Sequence, residues 1–167
     1  MKVLLWLSLV QLSTLSVKTF DLSKIRHLYQ RAALEKQDAR QLNQLMLHVD
    51  VNTMAAVLIC YKGANEMIQA KYTFNPIVKF KKFNKGKELI KMAISRDPLS
   101  LEMRFIRYSI QSNLPSFLGY REELDLDKRF MVNNTKTNTD PELKKMIFNY
   151  LSAVPTMHPD ELKQLKN

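Results

Sequence analysis

The chain has 167 residues, 46% hydrophobic and 25% charged, enough for one domain with a real core. Its 26 basic and 16 acidic residues give a net charge of +10, which points to an anionic partner and says nothing about the fold. Only three glycines and one cysteine exclude a Gly-rich phosphate cradle and an internal disulfide framework.

The N-terminus reads MKVLLWLSLVQLSTLSVKTFD. A lysine, a short apolar run over residues 3–10 and a Ser/Thr-rich stretch to Ser16 form the layout of a secretory signal. The run is shorter than the roughly 20 residues that span a bilayer. The expectation is a signal over residues 1–16 and a single helical domain over 17–167, in a secreted or periplasmic protein of a bacterial envelope. The competing reading is an N-terminal core helix.

Helical periodicity then dominates. A first helix is expected over 22–33, capped by Asp21 or Ser23, with Ile25, Leu28, Tyr29 and Ala32 on one stripe. A second is expected over 37–49. A third, capped by Asn52 or Thr53, runs to about residue 72. It carries a stripe of small residues (Ala56, Cys60, Gly63, Ala70, with Met67 among them) that would let another backbone come close. Cys60 reads as plain core, free cysteine being among the most buried residue types.

Asn75 and Pro76 suggest a turn, and residues 71–91 read as a loop leading into a fourth helix over 84–96. Further helices are expected over 101–113 and 120–133. After the polar loop 133–141, Asp140 caps a seventh with Pro141 in its first position, and a short terminal helix follows. No stretch alternates with a period of two. The fold class is all-α: antiparallel helix pairs stacked in a short solenoid or bundle of about six to seven helices.

Two stretches are candidates for recognition. In the fifth helix, Leu101, Phe105 and Tyr108 oppose Met103, Ile106, Ile110 and Leu114, so that helix is sandwiched between layers. Arg104, Arg107 and Gln111 form one polar edge; Glu102, Ser109 and Asn113 form the other. The arginines either pair with Glu122, Glu123, Asp125 or Asp127 of the next helix, or grip an anionic partner along a groove, together with Tyr108. The second stretch, 71–91, holds seven lysines and one acid, with Tyr72, Phe74, Phe80 and Phe83 interleaved. Its Lys79, Lys81 and Lys82 suit an anionic lipid surface, a nucleic acid or, most plainly, solvent. Secretion disfavours nucleic acid.

Catalytic patterns are absent from the sequence. There is no H-E-x-x-H, G-x-S-x-G or G-x-x-x-x-G-K-[ST]. His27, His48 and His158 stand in no ligand spacing, so neither a metal nor a cofactor is expected. Asn133-Asn134-Thr135 is a formal glycosylation sequon.

Gly86, Ile90, Ala93 and Pro98 match the spacing of the second half of a tetratricopeptide unit, which the segment resembles. No second copy recurs at about 34 residues. Residues 61–120, about a third of the chain, carry YKGA, FNP, KGKELI, EMRFIR and LGY, and look like a group of secreted Bacteroidota helical proteins to which no activity is attached. The two resemblances imply an envelope-directed, repeat-like helical protein. The function expected is a non-catalytic interaction module whose groove, edged by Arg104 and Arg107, takes a protein or peptide partner, acidic by complementarity. The alternative is a peripheral membrane or polyanion binder acting through 71–91.

Overall fold

Side-chain caps start four of the helices in the computed structural model, which describes residues 20–154 and 157–166. Asp21 accepts a hydrogen bond from the Lys24 amide and opens α1 (Leu22–Ala32). Asn75 accepts from the Ile77 and Val78 amides and opens α4 (Pro76–Arg96). Ser100 opens α5 (Leu101–Asn113) and Asp140 opens α7 (Pro141–Ala153). Pro76 and Pro141 both take the first helical position, where a missing N–H costs nothing. The other helices are α2 (Lys36–Leu47), α3 (Ala56–Lys71), α6 (Leu124–Asn134) and α8 (Pro159–Lys166). Among the described residues there is no strand, and the fold is all-α with eight α-helices. The expected signal, residues 1–16, lies outside the described residues.

Carbonyls orphaned at helix C-termini are met by side chains from neighbours. Lys71 donates to the Ala33 carbonyl and Tyr72 to that of Ala32, closing α1. Lys62 donates to the carbonyls of Met46 and Val49, closing α2. The end of each early helix is thus tied to α3.

Successive helices pack on one another from α1 to α6, α8 packs on both α6 and α7, and α5 sits at the centre, touching α3, α4, α6 and α7. One core cluster extends from Ile25 in α1 to Leu165 in α8. Tightest is the antiparallel α3–α4 pair. A Cβ on Gly86 would lie 2.7 Å from the Gly63 carbonyl oxygen, and one on Gly63 would lie 2.9 Å from that of Gly86. The small stripe of α3 therefore does allow a close backbone approach, with Ile90 and Ala93 buried in the same seam.

Three boundaries differ from the sequence reading. Residues 76–83 are helix rather than loop, because Asn75-Pro76 is a cap followed by a first-turn proline and not a break. The third helix begins at Ala56, since Asp50 draws the Asn52 amide and the Thr53 hydroxyl into a turn of their own. The sixth begins at Leu124, because a 3-10 turn (Ser116–Leu118) ends on Gly119 at φ +61°.

Candidate interaction surface

Both polar edges of α5 are closed by ion pairs. On one, Asp127 of α6 is 0% exposed and receives Nε and Nη2 of Arg107 at 2.6 and 2.8 Å, plus Nη1 of Arg104 at 3.0 Å. Glu123 adds a carboxylate 3.4 Å from Arg107 and accepts from Gln111 at 2.8 Å. Arg104 also donates to the Pro98 carbonyl, and its guanidinium lies 4.9 Å from the Phe130 ring centroid. Burial is the largest influence and opposes the charge on Arg107, but the hydrogen bonds and charge of Asp127 together with the charge of Glu123 outweigh it and raise its pKa. Two of the four acids foreseen as partners, Glu123 and Asp127, are thus the ones engaged.

The other edge is one the sequence reading did not assemble. Arg26 of α1 donates Nε and Nη2 to the two oxygens of buried Glu102 at 2.7 and 2.6 Å, and Tyr61 donates to Glu102 at 2.7 Å. The same guanidinium reaches Asp140 at 2.7 Å and Glu142 at 3.0 Å at the start of α7. Four helices are pinned at one point. Glu102 lies on the second polar stripe of α5, but its partner is 76 residues away, and nothing in the local pattern links them.

That junction carries an acid-stability prediction. The Arg26 hydrogen bond holds the Asp140 carboxyl below its ordinary pKa, helped by the Leu143 and Glu142 amides and opposed by burial. A carboxyl depressed in the folded state adds stability above its unfolded pKa and loses it as pH falls through the folded one. Stability is expected to be level near neutral pH and to fall below about pH 4. Asp140→Asn keeps a capping side chain but cannot titrate, so its acid limb should be shallower in pH-dependent urea unfolding. Parallel limbs for the two proteins would show that the Arg26–Asp140 pair contributes nothing.

The six residues singled out for recognition fall into two groups. Arg107 and Tyr108 are buried and Arg104 is mostly covered, so the arginine edge is an interior seam between α5 and α6 rather than the rim of an open groove. Lys79 and Lys81 are exposed on α4. Lys82 is partly covered and, with Lys85, is held by Glu66 at 3.1 and 2.9 Å. Burial pushes the Glu66 pKa up, but those two lysines more than reverse it. Cys60 is buried core, and burial raises its thiol pKa.

The first turns of α4 combine exposed apolar side chains with exposed lysines. Of the four aromatics in 71–91, Tyr72 and Phe83 turn inward, Phe83 meeting Tyr120 edge-on at 6.1 Å. Phe74 and Phe80 do not: they are 100% and 64% exposed, with Ile77 at 66% between them. Among the described residues, neither Lys79 nor Lys81 forms an ion pair. Apolar side chains of this size exposed together mark a contact surface more often than chance. No family model, curated protein or solved structure matches the chain.

Proposed function

We propose that the protein is a non-catalytic binding module of the cell envelope that docks on an anionic partner through the first turns of α4. The observation that carries this is the exposure of Phe74, Ile77 and Phe80 beside the unpaired cations Lys79 and Lys81. The net charge of +10 favours the same class of partner. The envelope setting is supported by the N-terminal sequence pattern. The arginine edge contributes indirectly, by fixing α6 on α5.

The test is photo-crosslinking with benzoylphenylalanine in place of Ile77 or Phe80 in cells that make the protein. A control position is Lys145, exposed on α7. Adducts are expected at 77 and 80 and not at 145. Adducts at 145 with silence at 77 and 80 would move the contact surface off α4.

A further inference from the structure

We infer that the anionic partner of this surface is a lipid bilayer, with the first turns of α4 seated among its headgroups. The inference rests on the docking reading above and adds the partner's chemistry. Four features of α4 carry it.

The apolar face is short. At 100° per residue Ile77 and Phe80 lie about 60° apart, and the same face continues through Lys81, Asn84, Glu88 and Lys91. A helix bound in a protein groove presents apolar anchors at i, i+3 or i+4, and i+7. Here the anchors stop after the first turn and a half, which suits shallow insertion of one helix end.

The anchors protrude. Phe74, just before α4, and Ile77 and Phe80 in its first turns are exposed, while further along the same helix Gly86 packs against α3. Two surface clefts among the described residues, one beside Val132, Asn133 and Lys163, the other beside Leu22, Ser100 and Asp140, have no residue of α4 in their lining. Protruding rings need no pocket of their own to enter a headgroup layer.

The charge flanks the anchors and is of one chemical kind. All seven cations over residues 71–91 are lysine. Lysine is a mobile point charge without the bidentate fork that arginine brings to a fixed carboxylate or phosphate. Mobile charges fit headgroups that hold no fixed geometry.

Finally, two of these cations, Lys79 and Lys81, form no ion pair among the described residues. Glu66 holds Lys82 and Lys85, while Lys79 and Lys81 sit at the exposed end beside Ile77 and Phe80. At 100° per residue Lys81 lies about 40° from Ile77 and shares the layer of the rings, while Lys79, about 160° round the helix from Ile77, reaches it from the flank on its long side chain.

The experiment is co-sedimentation of the full chain with phosphatidylcholine vesicles, with and without phosphatidylglycerol, over a salt series. The expected result is retention on the anionic vesicles only, weakening as salt rises. Lys79→Ala with Lys81→Ala should reduce partitioning by about 30-fold, near 1 kcal/mol for each lysine. Phe74→Ser with Phe80→Ser should reduce it by at least about tenfold. These four side chains are exposed, so both double variants should melt with the parent. No retention of the parent chain would overturn the lipid inference and leave α4 docking to the crosslinking result. Retention on polyglutamate without retention on vesicles would also overturn it, in favour of an acidic protein. Retention that survives both double variants would overturn the inference and the α4 surface together.

Discussion

Asp127→Ala is expected to lower the unfolding free energy by about 3–5 kcal/mol. Asp127 is fully buried and takes three N–H bonds from two arginines. Its loss does not strand them equally. Arg104 keeps the Pro98 carbonyl, to which it already donates at 3.0 and 3.2 Å, and its partial exposure lets water in. Arg107 keeps only Glu123, at 3.4 Å, and would be a buried cation short of partners. Small domains hold about 5–15 kcal/mol in total, so this variant should sit close to unfolding at ambient temperature. Removing both charges should cost far less than removing one, because replacing a buried pair with apolar side chains of similar volume is often neutral. Urea denaturation of Asp127→Ala, Arg107→Met and the double variant Arg107→Met, Asp127→Leu separates the two effects. A loss under about 1 kcal/mol for Asp127→Ala would mean that the seam is wetter than its geometry implies.

This seam also shows what could be read in the chain and what could not. Helix α5 was legible to the residue: it is apolar on two faces, and the expected bounds 101–113 are those of the structure. Its sandwiched position followed from that pattern, and so did the carboxylate partners of its arginines, which lie on the next helix. The Arg26–Glu102 junction was not legible. Ion pairs between distant helices depend on how those helices are brought together, and single-sequence periodicity does not encode that. The start of α4 was missed for a different reason. The run IVKFKKF has no inward stripe because residues 77–81 are exposed all round and burial begins only beyond them, so the usual periodic signal is missing. The cue that would have found it is the Asn75-Pro76 pair, which has the same chemistry as Asp140-Pro141: a capping side chain followed by a proline whose absent N–H was never needed. What looked like an irregular basic loop is therefore a helix end that spaces Phe80 and Lys81 by one helical step.

That helix is seated on α3 through two glycines, and Gly86→Val should reveal the contact with a loss on the order of 3–4 kcal/mol. A Cβ at position 86 would meet the Gly63 carbonyl at 2.7 Å and the Met67 Cγ at 2.6 Å. Met67 can swing aside, but the carbonyl belongs to the backbone of α3 and moves only if the two helices part. Two effects compete in Gly86→Ala. Helix propensity gains about 1 kcal/mol over glycine, while overpacking costs about 1–3 kcal/mol. The backbone contact should let overpacking win, for a net loss of about 1–2 kcal/mol. Valine adds two methyl groups and a stiff χ1 in the same space and so falls further. The separation would also pull Lys82 and Lys85 away from Glu66, loosening the base of the exposed turns without touching them. Thermal and urea unfolding of the two variants decides the matter. If Gly86→Ala were more stable by the full propensity gain, the helices would not be in backbone contact. The first turns of α4 would then lack the fixed base from which they present Phe74, Ile77 and Phe80.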